Sequence, residues 1–114
     1  MSSDGLAVGP QAVATRLVSC RPSATLALAG ELDLAAVPAV RDRLCGLGGD
    51  VDLDCSGLTF IDASGLRLFV AVHHGCERRG AKMVIVNPAQ CVLRLLAVTG
   101  LDSVLTVRRV SSTR

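Results

Sequence analysis

The tetrapeptide Met83-Val84-Ile85-Val86 is apolar at every position and stands between two segments of helical spacing, which leaves few folds open to the chain. A run without a polar side suits a strand covered on both faces, near the centre of a sheet, and that strand is expected over Lys82 to Val86. Before it, Asp62 is placed to cap a helix that runs to about Arg79 and stops ahead of Gly80, with Leu66, Leu68, Phe69, Val70 and Val72 giving that helix its apolar side. After it, Asn87-Pro88 is expected to open a further helix by the cap-plus-proline pattern, with Val92, Leu95 and Leu96 turned inward and Gly100 as its stop. A strand held between two helices belongs to strand-helix-strand units, whose parallel crossovers are right-handed.

Upstream, Val51-Asp52-Leu53-Asp54-Cys55 alternates apolar residues with carboxylates, so this strand has one dry face and one wet face. The helices are therefore expected mainly on one face of the sheet. Ser56-Gly57 reads as a turn, and Leu58, Phe60 and Ile61 as apolar anchors ahead of Asp62. Val37, Val40, Leu44 and Leu47 recur at helical spacing, with Pro38 tolerable only in the first turn and Gly46, Gly48 and Gly49 as the stop. Val13, Thr15 and Leu17 alternate with Ala14, Arg16 and Val18, then Arg21-Pro22-Ser23 offers a turn before a second alternating run from Ala24 to Ala29, the pattern of a β-hairpin. A last short strand is expected over Val104 to Val107. The order is strand, strand, helix, strand, helix, strand, helix, strand, an α/β domain spanning 12–107 between a flexible N-terminal tail (1–11) and a C-terminal tail (108–114).

With 114 residues, 50% of them hydrophobic, the chain has material for one core and one domain. Phe60 and Phe69 are its only aromatic residues, so the core falls to Val, Leu, Ile and Ala, and no platform is offered for stacking nucleic-acid bases. The net charge of +2 hides an asymmetry: Met1 to Leu66 holds four Arg against eight acidic residues, whereas Arg67 to Arg114 holds eight basic residues against two. Such a half can mark a nucleic-acid surface, but the basic residues are scattered and only Arg78-Arg79 and Arg108-Arg109 adjoin, so no direct nucleic-acid partner is expected. Cys20, Cys45, Cys55, Cys76 and Cys91 lack any Cys-x-x-Cys spacing and read as small buried hydrophobes of a reducing compartment. No run approaches the length of a membrane span and no leader pattern opens the chain, so a cytoplasmic location without a membrane partner is expected.

His73-His74 with Cys76 suggests a metal only superficially, because adjacent side chains on a helix diverge by about 100° and no further ligands accompany them. Neither metal nor cofactor is expected. Asp62, Ser64 and either His are the residue types of a hydrolase triad, yet Asp62-Ala63-Ser64-Gly65-Leu66 lacks both outer glycines of the Gly-x-Ser-x-Gly elbow, and no Gly-x-x-x-x-Gly-Lys loop occurs. The chain does not read as an enzyme.

Two segments carry a resemblance: Leu28-Ala29-Gly30-Glu31-Leu32-Asp33, and Val51 to Leu66 with its ending Phe60-Ile61-Asp62-Ala63-Ser64-Gly65-Leu66. In this order they resemble the STAS domain family, and within it the single-domain bacterial anti-sigma factor antagonists, also called anti-anti-sigma factors. The likeness continues through Gly80 to Val86 and Val92 to Leu96 as far as Thr99-Gly100-Leu101, covering roughly 13–107. It implies a STAS-type mixed β-sheet with an N-terminal hairpin, parallel βαβ units and helices mainly on one face. It also implies a phosphorylation switch, because Ser64 stands where the family carries its phosphorylated serine. The unphosphorylated form would bind an anti-sigma factor that is also a serine-protein kinase and so free a sigma factor, as in stress response or sporulation.

The matched positions imply partner contact at Glu31, Asp33, Asp62, Ala63, Ser64, Gly65, Leu66 and Arg67, with a phosphoserine phosphatase as a second partner and a monomer as the expected state. Ala63 and Gly65 are expected to leave room for a partner's backbone, and the first-turn N–H groups of the helix to tolerate a phosphate that blocks the interface. An alternative within the same family is an interaction subunit of another bacterial signalling or transport complex. Family members commonly end in a further amphipathic helix, for which Thr106 to Arg114 is too short and polar.

Overall fold

A computed structural model describes residues 13–19 and 23–110. The first two strands, β1 (Ala14–Ser19) and β2 (Ala24–Leu32), pair antiparallel, with Thr15 opposite Leu28 and Leu17 opposite Leu26. Helix α1 (Val37–Cys45) leads to β3 (Val51–Ile61), α2 (Ala63–Arg78) to β4 (Met83–Val86), and α3 (Gln90–Thr99) through a single 3₁₀ turn to β5 (Thr106–Arg108). The sheet order is β1-β2-β3-β4-β5 and every pairing after the hairpin is parallel. The mixed sheet, the hairpin and the βαβ units are those expected from the residue pattern.

Alternation decides which face is dry. Val51, Leu53 and Cys55 of β3 are buried with Leu26 and Leu28 of β2 and Met83 and Ile85 of β4, while Asp52 and Asp54 point to the opposite, half-exposed side. Val37, Val40 and Leu44 of α1, Leu66, Leu68, Phe69 and Cys76 of α2, and Val92 and Leu96 of α3 all join that one cluster. Phe69 is its largest fully buried side chain. Among the described residues, no helix is long and apolar enough to cross a membrane.

Several local expectations are corrected. Ser56-Gly57 is no turn: β3 runs unbroken for 11 residues and absorbs the extra length as two irregularities in its pairing with β2. Buried positions consequently step from Cys55 to Leu58 to Ile61, three apart instead of two. Gly57 lets the strands close up at the first of these, since a Cβ there would lie 2.9 Å from that of Ala29. The strand Met83–Val86 lies second from the edge, not at the centre, and its Val84 is only half-buried. Asn87 does not cap α3, which starts at Gln90 behind an uncapped Ala89. Asn87 adopts φ 49° and its Oδ1 accepts from the Val110 N–H at 2.8 Å, holding the chain beyond β5. The final strand begins at Thr106, later than expected, because Leu101–Ser103 forms the 3₁₀ turn. Cys55 and Cys76 are buried and Cys91 half-buried, but Cys45 is exposed. Cys20, the Arg21-Pro22 part of the hairpin turn and the tail over 1–11 lie outside the described residues, as do 111–114 of the C-terminal tail.

Candidate functional site

Parallel strands β2 and β3 end side by side, Glu31 opposite Phe60 and Leu32 opposite Ile61, and both chains turn there into helices. In an α/β sheet the carboxyl ends of the strands are the usual place for a functional crevice. The Asp62 N–H donates to the Leu32 carbonyl at 3.3 Å, which ties the start of α2 to the end of β2. The Asp62 carboxylate then accepts from the N–H of Ser64 at 2.9 Å and of Gly65 at 3.2 Å, the two-bond N-cap that its position suggested.

Asp33 does related work on the other crossover. Its carboxylate accepts from the Ala36 N–H at 3.1 Å, and its carbonyl from Ala36 and Val37, so it shapes the turn into α1 without being the helix cap itself. Pro38 sits in the first turn of α1, where a missing N–H costs nothing.

The eight matched positions divide by depth. Ala63 and Arg67 are exposed, and Glu31, Asp33, Asp62 and Ser64 are half-buried. Among the described residues the Ser64 hydroxyl has no hydrogen-bond partner. Gly65 and Leu66 face inward. Leu66 is 2% exposed, and a Cβ on Gly65 would lie 2.8 Å from Leu32 Cγ and 2.9 Å from Ile61 Cγ1. The glycine is there because α2 starts hard against the ends of β2 and β3.

The first-turn N–H groups were expected to be open to an anion, but those of Ser64 and Gly65 are already taken by Asp62. Phe60 is a second correction. The three-residue step from Leu58 to Ile61 turns it out of the core, leaving it 45% exposed beside Glu31.

Two residues were missed by the sequence reading. Leu34, in the turn after Asp33, is 71% exposed. Arg41 of α1 lines a groove between α1 and α2 together with Leu34, Val37, Ser64 and Arg67. The spacing Cys55, Leu58, Ile61 was a signal for the outward Phe60; nothing in the sequence announces that α1 and α2 lie close enough to share Arg41 and Ser64. The site is thus a surface: apolar Leu34 and Phe60, the free Ser64 hydroxyl, and carboxylates and guanidinium groups close by. Such a surface suits protein contact better than turnover of a small molecule.

The family model described as "Mlab, STAS domain" matches residues 17–107. An anti-sigma-B factor antagonist of Bacillus subtilis is 26% identical over 83 residues, which cover 70% of this chain and 76% of that protein. A crystal structure of an anti-sigma factor antagonist from Mycobacterium paratuberculosis matches with a TM-score of 0.76 at 18% identity, covering 88% of each chain. The anti-sigma factor antagonist SpoIIAA in its unphosphorylated form matches with a TM-score of 0.74 at 22% identity, over 87% of this chain and 90% of that one. At these identities the two structures establish the common fold.

Proposed function

The chain belongs to the STAS domain family, and on that premise we propose that it acts as an anti-sigma factor antagonist switched by phosphorylation of Ser64. Unmodified, it binds a cytoplasmic anti-sigma factor that is also a serine kinase, and the sigma factor held by that partner is released. The partner then transfers a phosphoryl group: the Ser64 Oγ–P bond forms as the bridge from the γ-phosphorus of ATP to ADP breaks, and the hydroxyl proton leaves to a base of the kinase. A phosphoserine phosphatase restores the binding form.

The observation that carries this reading is the Ser64 hydroxyl, unpartnered among the described residues and set between exposed Ala63 and Arg67 at the start of a firmly capped helix. Curated relatives named as anti-sigma-B factor antagonists support it. A phosphate brings about −1.5 to −2 charges and three oxygens, and it would enter an interface that already holds the Asp62 and Asp33 carboxylates. Binding therefore falls while the fold remains.

Among the described residues no side chain is hydrogen-bonded to the Ser64 hydroxyl to act as its base: the Asp62 carboxylate is engaged by the N–H groups of Ser64 and Gly65, and the His73 Nε2 lies 3.4 Å from Glu77. The protein is in this reading a binding partner and a kinase substrate, not an enzyme. Incubation with the candidate kinase and labelled ATP tests the site. Incorporation should vanish in Ser64→Ala while that variant still binds; undiminished labelling of Ser64→Ala would remove Ser64 from the switch.

A further inference from the structure

A phosphate on Ser64 has an electrostatic problem that the structure makes plain. The N–H groups of Ser64 and Gly65, which would ordinarily receive an anion at a helix start, are bonded to the Asp62 carboxylate at 2.9 and 3.2 Å. The new charge therefore meets a like charge at the N-terminus and must be balanced from another direction.

That direction is the groove between α1 and α2. It is lined by Leu34, Val37, Arg41, Ser64 and Arg67, and its space of about 220 Å³ is several times the ~30 Å³ that a water molecule occupies in the liquid. Arg67 follows Ser64 by three residues on the same helix, a spacing that brings side chains together. Arg41 reaches the groove from α1. Among the described residues neither guanidinium group makes a hydrogen bond or an ion pair, so both are free to take up a new partner.

We infer that Arg41 and Arg67 form an internal phosphate clamp, which closes on phosphorylated Ser64 and holds its oxygens in the groove between α1 and α2. The inference rests on the reading of Ser64 as the modified residue and adds the means by which the modified state is held. Guanidinium forks match phosphate oxygens in pairs. Closing the clamp does two things to the surface: it adds negative charge at Ser64 and removes two positive groups from contact with a partner. It also ties α1 to the first turn of α2, so that the groove with exposed Leu34 at its rim is filled by the protein's own phosphate.

The test installs phosphoserine at position 64 during translation, which makes it independent of any kinase, and follows the ³¹P resonance through a pH titration. An opposite charge nearby favours the dianion, so the second ionisation of the phosphate should lie below its usual value of about 6, by roughly half a unit to one unit at low salt given the exposure of the arginines. Arg41→Gln with Arg67→Gln should raise it to about 6 or above, because the Asp62 carboxylate remains beside the phosphate, whereas Arg41→Lys with Arg67→Lys should keep it low. An ionisation that is the same in the native-arginine protein and in the double glutamine variant, both shown folded by circular dichroism, would overturn the clamp. Failure of the kinase to label Ser64, with the ³¹P shift present, would instead count against the proposed function alone.

Discussion

The chain turns three times from the carboxyl end of a parallel-paired strand into a helix that packs on the same core, and the turns that leave β3 and β4 are built differently. From β3 into α2, Asp62 caps with two side-chain bonds and Gly65 wedges the helix against Leu32 and Ile61. From β4 into α3, Ala89 offers no side-chain cap; its N–H donates to the Cys55 carbonyl at 3.2 Å, and Asn87 is occupied with Val110 and, through its N–H, with the Arg108 carbonyl. The turn after β4 commits its polar groups to holding β5 and β3. The turn after β3 commits only Asp62, and leaves Ser64 and Arg67 at the surface without partners among the described residues. Both turns lie at carboxyl ends of strands, and they differ in how far their polar groups are satisfied.

Substitutions at the two turns probe this difference. Gly65→Val should have the largest effect, a loss of about 3 kcal/mol or more, because its Cβ would collide with buried Leu32 and Ile61 and the methyls add further crowding. Urea unfolding followed by circular dichroism measures it. A small loss would show that α2 can slide away from β2. Asn87→Ala is next: it removes the bond to Val110 and places a side chain without the tolerance of Asn at φ 49°, for a loss of about 1–3 kcal/mol in the same assay. Asp62→Ala should cost about 1 kcal/mol, the ordinary worth of an N-cap. The reverse change at the other turn, Ala89→Ser, should gain about 0.5–1 kcal/mol by supplying the cap that α3 lacks. If Ala89→Ser gains nothing, the two helix starts differ less than their bonding suggests.

The smallest effect at neutral pH lies beneath the α3 turn. Burial pushes the Cys55 thiol up to about 12, helped by Asp54 and Cys91, from an ordinary 9.0. Below pH 9 the thiol is protonated in both folded and unfolded chains and contributes no pH dependence. Between pH 9 and 12 the unfolded chain loses the proton first, so stability should fall as pH rises through that window. Mass spectrometry after brief alkylation at pH 8 should find exposed Cys45 modified and Cys55 untouched.

The element order was legible because apolar spacing distinguishes β3, β4 and the three helices, and because Asp62, Gly80 and Gly100 mark ends that the structure keeps, the two glycines at φ +76°. What escaped was set by pairing between elements. The irregularities of β3 depend on how it registers with β2, and they alone turn Phe60 outward and make a strand of Ser56-Gly57. The role of Asn87 depends on β5 returning alongside β4, which local sequence does not encode. At the site, Asp62 was readable as a cap from its own neighbourhood. The inward packing of Gly65 and the approach of Arg41 to Ser64 needed the tertiary arrangement of β2, α1 and α2.

The central claim is that a phosphate at Ser64 changes binding and leaves the fold alone. Calorimetric titration of the anti-sigma kinase with the unmodified protein and with its Ser64-phosphorylated form, paired with thermal melts of both, tests this most directly. Like charges and desolvation in the interface should raise Kd by about tenfold to a thousandfold, equivalent to roughly 1.4–4 kcal/mol, while the melting temperatures stay within a few degrees. Equal affinity of the two forms, or a phosphorylated chain that has lost its cooperative melt, would contradict the account.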